Sequence, residues 1–303
     1  MINYRFASKA EGQRLIKENT AYYNGMTQMD IDWRLEKKGG RLDELISRAQ
    51  ENIQDFTEKE QAYVTLGIGA MEGMVNALGC RLPLPEEIVF IKSTQETEGQ
   101  APAYTLKNQI VLSTRLLARS ISDRKEKIDM PFTRILVHEI FHIITRHSPE
   151  FRKRMYSLLG FTVMDHDIEF PQSMREKIAS NPDVEHLDNY AEFTIGGVKR
   201  KCEMVACFNK SWEETAAENG SADSFLHHIQ LGLVPLDNLE EYFSIDEASD
   251  FWDKVGRNTH YIWAPEECLA DNFSYALTYG PCFNYKSPKL IRGILAVLQD
   301  FSS

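Results

Sequence analysis

Two histidines and a glutamate lie inside an apolar stretch of this chain, and this feature constrains its folding more than any other. Positions 138–142 read His-Glu-Ile-Phe-His within the apolar run from Ile135 to Ile144. The spacing predicts a helix over 131–147 in which His138 and His142 lie one turn apart on one face. Ionisable side chains are rarely buried without a partner. Two imidazoles placed this way can bind one Zn²⁺, with Glu139 beside the metal.

A catalytic zinc needs a third protein ligand and an open position for water. Three sources can supply this ligand: His147, Cys268, or a carboxylate in a downstream helix. His147 points roughly opposite to His138 if the helix continues, and thiolates are better suited to closed structural sites. The downstream carboxylate is therefore favoured.

The segment that begins at Pro265 reads as a helix with proline in its first turn. Glu267 and Asp271 are four residues apart in it and share a face. Glu267 can reach the metal, and Asp271 can accept a hydrogen bond from the second ring nitrogen of a ligating histidine. Glu266 lies about 100° around the helix and is expected to point to solvent.

Together these two helices resemble those of the gluzincin clan of metallopeptidases, to which thermolysin belongs. That clan combines H-E-x-x-H with a distant helical glutamate in an E-x-x-x-D pattern. The resemblance implies that His138, His142 and Glu267 bind one Zn²⁺ per chain. It also implies Glu139 as general base and Asp271 as partner of a ligating histidine, with His138 expected. The resemblance covers about thirty residues, and the interval between the helices is much longer than in thermolysin.

The implied activity is the hydrolysis of peptide bonds by a zinc-activated water. Zinc lowers the pKa of this water and polarises the scissile carbonyl, and Glu139 takes the proton. The oxyanion then needs a donor besides zinc. No motif singles out this donor among four candidates near the second helix: Tyr275, Tyr261, His260 and Tyr279.

Two other functions remain open at this point. A zinc hydrolase could act on a non-peptide bond, such as another amide or an epoxide, with the same metal and base. A non-catalytic protein could keep the fold to bind a peptide or a partner, although an intact Glu139 argues against this. The sequence favours a metallopeptidase with a peptide or protein substrate, and it leaves the substrate's identity and the oligomeric state open.

The order of the elements predicts an α+β, zincin-like fold that is mostly helical. Strands at 87–92 and 103–113 are expected to form a small mixed sheet over the H-E-x-x-H helix. Zincins commonly bind an extended peptide along the edge strand of such a sheet. The chain divides into four segments, which can also form one domain: an N-terminal helical region (1–82), the catalytic core (83–160), an insertion or lid (161–259) and C-terminal helices (260–303).

The insertion is predicted to contain a hairpin and two helices. Residues 190–195 and 198–208 read as strands joined by a Gly-Gly turn. Helices are expected near 211–219 and 223–231.

Composition excludes several classes of protein. The net charge of −11 argues against nucleic-acid binding, which requires a basic surface. The chain has no apolar run of eighteen residues, so no membrane span is expected. The first residues lack the apolar core of a secretory signal, and five scattered cysteines without a C-x-x-C pair read as reduced thiols of a cytoplasmic protein. The basic residues around 146–154 predict a solvated helix face, or alternatively a substrate-binding arginine.

Overall fold

The computed structural model describes residues 2–122, 130–219 and 224–301, and these residues form an α+β architecture. The helices are α1 Lys9–Glu18, α2 Thr20–Asn24, α3 Gln28–Leu35, α4 Leu42–Glu51, α5 Glu58–Ala77, α6 Thr114–Ser122, α7 Met130–His147, α8 Pro149–Ser157, α9 Gln172–Arg175, α10 Trp212–Asn219, α11 Phe251–Val255, α12 Pro265–Tyr279 and α13 Pro288–Asp300. The strands are β1 Tyr4–Phe6, β2 Ile53–Gln54, β3 Ile88–Ser93, β4 Ala103–Leu106, β5 Gln109–Ser113, β6 Thr162–Val163, β7 Asn189–Ile195, β8 Val198–Phe208, β9 Ile229–Pro235 and β10 Phe243–Ser244.

The first sheet is mixed and has the strand order β1-β3-β5-β4, with β2 paired to β3. Strand β3 runs parallel to β1 and β5, and β4 runs antiparallel to β5. Within the described ranges β4 pairs with β5 alone, so it forms an edge of the sheet. The single strand predicted over 103–113 is wrong, because the chain reverses at Lys107, whose φ is 53°.

Strand β3 shows how this sheet lies between two helical layers. Alternate residues of a strand point to opposite faces. Ile88 and Phe90 belong to the main hydrophobic core, which also contains Leu136 of α7. Val89 belongs to a second cluster with Ile16 of α1. The sheet therefore has α7 on one face and α1 on the other.

Helix α7 packs between α5 and α12 in the main core. Gly67 permits a close approach of α5, since a Cβ at this position would lie 2.5 Å from Leu136 Cδ1 of α7. Helix α12 begins at Pro265, where the sequence predicts its start, and is buried along most of its length. This packing holds the polar side chains of α7 and α12 against each other.

The insertion forms a second sheet, which is antiparallel throughout and has the order β10-β9-β8-β7-β6. The predicted hairpin is present as β7 and β8, and both glycines of its turn have positive φ. The helix predicted over 223–231, whose first residue lies outside the described ranges, is wrong. Residues 225–228 form a short 3-10 helix, and β9 follows because its backbone pairs with β8.

The main core contains residues from all four predicted segments, such as Val64, Ile140, Phe193 and Phe273. One continuous apolar cluster therefore joins the insertion to the helices that carry the polar site. In the described part of the chain, no helix is both long and apolar enough to cross a membrane.

Candidate metal centre

Helix α7 brings two imidazole rings together in the interior of the protein. His142 is fully buried, and His138 is partly buried. The centroids of the two rings are 4.8 Å apart, and the ring planes make an angle of 77°. The i, i+4 spacing on a helix therefore places both rings at one point of its surface.

Glu267 of α12 faces both rings with one carboxylate oxygen. Glu267 Oε2 lies 3.1 Å from His138 Nε2 and 3.5 Å from His142 Nε2. One ligand atom from each of the three residues lies within 4.8 Å of the other two. The fold thus gathers the three residues that the sequence analysis expects to bind zinc.

The second nitrogen of each ring faces another carboxylate of α12. His138 Nδ1 lies 3.9 Å from Asp271 Oδ1, and His142 Nδ1 lies 3.0 Å from Glu266 Oε1. Such contacts fix the ring orientation and leave the Nε2 atoms to face a metal. The expectation that Glu266 points to solvent is wrong, because α12 is enclosed on this side as well and Glu266 is only 4% exposed.

Glu266 is held by two further hydrogen bonds. The Tyr156 hydroxyl donates to Glu266 Oε2 at 2.8 Å, and the Thr145 hydroxyl donates to Glu266 Oε1 at 2.6 Å. Thr145 belongs to α7, so this carboxylate also ties α12 to the histidine helix. One feature of the sequence does indicate that Glu266 is buried. Helix α12 carries apolar residues on nearly every face, so little of its surface can face solvent.

Replacing Glu266 with alanine should weaken zinc binding about 10- to 100-fold, because His142 loses the carboxylate that fixes its ring. Competition with a chromophoric chelator measures this affinity. Tyr156→Phe is the matched control, since it removes one bond to Glu266 and leaves the contact with His142. Equal affinity in wild type and Glu266→Ala would show that the carboxylate does not support a metal ligand.

The charges of the cluster favour a cation. Burial raises the pKa of Glu267, but the neighbouring rings of His138 and His142 outweigh burial and leave the pKa below its usual value. Burial lowers the pKa of His142, but the neighbouring carboxylates, Asp183 foremost, raise it well above its usual value. Acidic side chains therefore surround the two imidazole rings.

Glu139 belongs to α7, and its side chain faces the edge strand β4. The Thr105 hydroxyl donates to Glu139 Oε2 at 2.7 Å and orients the carboxyl group. Burial raises the pKa of Glu139, while the two histidines of the helix act in the opposite direction. A carboxylate with a raised pKa is a stronger base near neutral pH.

Asp183 of the insertion also lies beside Glu139 and His142, and no motif in the sequence predicts its position there. Its Oδ1 accepts a hydrogen bond from the backbone N–H of Thr105 at 2.6 Å. Ligand atoms of Asp183, Glu139 and His142 lie within 4.8 Å of one another. Burial and the nearby Glu139 raise the pKa of Asp183 well above its usual value. Asp183 stands in an irregular segment, so no periodic pattern could have revealed it.

The candidates for an oxyanion donor lie in different environments. The ring of Tyr261 contacts that of His138, with centroids 5.7 Å apart. The ring of Tyr275 is covered by the Arg134 guanidinium at 4.6 Å, and His260 is exposed. Tyr261 is therefore the candidate that the fold places beside the histidine pair.

The two other proposed sources of a third ligand lie apart from the cluster. His147 is exposed at the end of α7, and its Nδ1 faces the Ile143 carbonyl at 2.9 Å. Cys268 is buried, and its Sγ faces the Val255 carbonyl at 3.6 Å. Neither side chain is grouped with the histidine pair.

The donor set of this cluster fits zinc. His142 Nε2 is buried and makes no hydrogen bond among the described residues, although Glu267 Oε2 lies 3.5 Å from it. Two imidazole nitrogens and one carboxylate oxygen are ligands that catalytic zinc sites use, and they leave a fourth position open.

Comparison with known proteins adds no family to this geometry. No protein-family model, no curated protein and no solved structure matches the chain. The functional interpretation therefore depends on the residues of the site.

Proposed function

We propose that this protein is a zinc-dependent metallopeptidase of gluzincin type, with one Zn²⁺ per chain held by His138, His142 and Glu267. The convergence of both Nε2 atoms on Glu267 Oε2, at 3.1 Å and 3.5 Å, carries the proposal. A helical glutamate 129 positions from His138 has no local reason to meet the histidine pair. Its position there, with carboxylates behind both rings, matches zinc sites in which carboxylates orient the ligating histidines.

Glu139 is the general base in this proposal. A zinc ion in the cluster would polarise the scissile carbonyl and acidify a water molecule. Glu139 accepts the proton of that water and delivers it to the leaving amine. Thr105 holds the Glu139 carboxyl in place, and burial in the protein raises its pKa toward the working range of a base.

The edge strand β4 supports a peptide as substrate and, with it, a zincin-like arrangement. Thr105 contacts Glu139 through its side chain, and its backbone N–H points away from β5 toward Asp183. An extended peptide can add to a free sheet edge through main-chain hydrogen bonds. A peptide that paired with this edge would pass beside Glu139, which Thr105 contacts.

Tyr261 is the donor that we assign to the oxyanion. The negative charge of Glu267 is the main cause that raises the pKa of Tyr261 above its usual value, and 43% of this side chain is exposed. Its hydroxyl therefore stays protonated and can donate a hydrogen bond to negative charge that develops beside His138.

Removing the metal should abolish peptide hydrolysis, and Zn²⁺ should restore it. The test incubates a mixed peptide library with native, chelator-treated and zinc-reloaded protein and identifies the products by mass spectrometry. Mg²⁺ is the control ion, because two imidazoles suit zinc better than magnesium. A zinc-loaded protein that leaves the library intact would contradict the peptidase proposal. Cleavage that persists without metal would contradict the role of the ion.

A further inference from the structure

A short segment of the insertion lies across the candidate metal centre. We call residues 179–183 the strap. Asp183 accepts the Thr105 N–H of the edge strand at 2.6 Å. Asn181 donates from Nδ2 to Glu267 Oε1 at 2.6 Å, on the other oxygen from the one that faces the histidines. The strap thus covers the edge of β4 that faces away from β5, and it also covers one of the proposed ligands, Glu267.

Two buried arginines bind carbonyl groups of the strap. Arg34 Nη2 donates to the Ser180 carbonyl, and Arg146 Nη2 donates to the Pro182 carbonyl, each at 2.6 Å. Arg146 follows His142 by one helical turn and is mostly buried, so the expected solvated face does not include it. Its Nη1 is buried and has no hydrogen-bond partner within the described ranges, which leaves a donor directed into this region.

These contacts are the ones that a bound peptide would make. A peptide on a sheet edge satisfies the strand's N–H groups, and its own carbonyls need donors from the surrounding protein. Here the Asp183 carboxylate of the strap accepts from Thr105, and strap carbonyls accept one hydrogen bond each from Arg34 and Arg146. Arg34 is also paired with Asp30 and Glu98. The Asp183 carboxylate also lies beside Glu139 and His142, where the water and the scissile carbonyl must enter.

Open space on both sides of the strap indicates that it lies in a wider cleft. A cavity of about 210 Å³ is lined by Asn181, Pro182 and the Leu106 end of β4. A second cavity, of about 320 Å³, is lined by the same two strap residues and by Tyr104 and Tyr261. The strap lies between these cavities, and without it they would form one cleft along β4.

We propose that the strap occupies the peptide-binding cleft in the resting protein and that a substrate peptide must displace it. Thr105, Arg34 and Arg146 then bind the substrate backbone in place of the strap. This inference rests on the proposed peptidase function. It adds that the cleft is blocked in the resting protein and that Thr105, Arg34 and Arg146 hold the peptide.

The test measures peptide binding without hydrolysis. Zinc-loaded Glu139→Gln protein is titrated with dye-labelled β-casein, an unfolded chain that presents many kinds of side chain, and fluorescence anisotropy reports binding. Adding Asp183→Ala should strengthen binding by about tenfold or more, because a larger fraction of molecules has an open cleft. Asp183→Asn is the matched control, since it keeps an acceptor for Thr105 and should bind like the parent.

Zinc content and thermal unfolding are measured for every variant. If Asp183→Ala does not fold, Asn181→Ala serves in its place, because it releases the strap from Glu267 and carries the same expected increase. Equal affinity in the parent and the released variants would overturn the strap proposal. Weaker binding in the released variants would overturn it as well. The metal-dependent cleavage of the peptide library tests the peptidase function separately, so the two failures can be told apart.

Discussion

Glu139→Gln should lower peptide hydrolysis by about 10²- to 10⁴-fold, which is the usual contribution of a general base. Glutamine keeps the shape of the side chain and can still accept the Thr105 hydroxyl, but it cannot take a proton from water. We expect kcat to fall while KM and zinc content stay close to the wild-type values. Steady-state kinetics on one cleaved peptide and metal analysis on the same preparation provide the measurement.

Glu150→Gln is the matched control for this substitution. Glu150 is exposed in the first turn of α8, the helix that follows α7, and should tolerate the change without loss of rate. Full activity in Glu139→Gln would contradict the base assignment. Loss of zinc from Glu139→Gln would instead place Glu139 among the groups that hold the metal.

Glu267→Ala should leave the purified protein almost free of zinc. Loss of a direct ligand should exceed the roughly 10- to 100-fold effect of removing a group behind a ligand. The remaining histidine pair would also lose the carboxylate on which both Nε2 atoms converge. Metal analysis after dialysis against a defined free-zinc concentration measures the loss, and hydrolysis should disappear with it.

Glu240→Ala controls for the loss of a glutamate elsewhere, because Glu240 is exposed in a loop of the insertion. One zinc per chain in wild type and in Glu240→Ala, but not in Glu267→Ala, is the expected pattern. Zinc that remains in Glu267→Ala would mean that another residue completes the site. Absence of zinc from all three proteins under every loading condition would contradict the metal centre itself.

Local periodicity explains why part of the site could be predicted. His138 and His142 are one helical turn apart, so their common direction follows from helix geometry alone. Glu267 and Asp271 are related in the same way on α12. The start of α12 at Pro265 could also be predicted from the sequence, since proline favours the first turn of a helix.

Two errors concern strands of the two sheets. Residues 103–113 are apolar enough to read as one strand, although Lys107 and Asn108 form a two-residue turn between β4 and β5 and asparagine is a common turn residue. The segment 229–235 reads as the end of a helix, but hydrogen bonds to β8 make it a strand. In the second of these segments, tertiary contacts overrode local preference.

Within the site, the contacts of Glu266 and the position of Asp183 could not be predicted from local sequence patterns. The environment of Glu266 depends on Tyr156 and Thr145, which come from two other helices and close the side of α12 that the sequence left to solvent. Asp183 reaches the site through the course of an irregular segment that is fastened to Thr105. Side-chain spacing along the chain carries no information about either contact.

The sequence by itself determined the two helical patterns of the proposed site, because their residues are related by short-range helical geometry. Only the tertiary structure decided that α12 meets α7, that β4 is the edge strand beside Glu139, and that the strap lies across both. These contacts depend on which surfaces are buried against each other. Burial is a property of the whole folded chain, since each buried face requires partners that are distant in sequence.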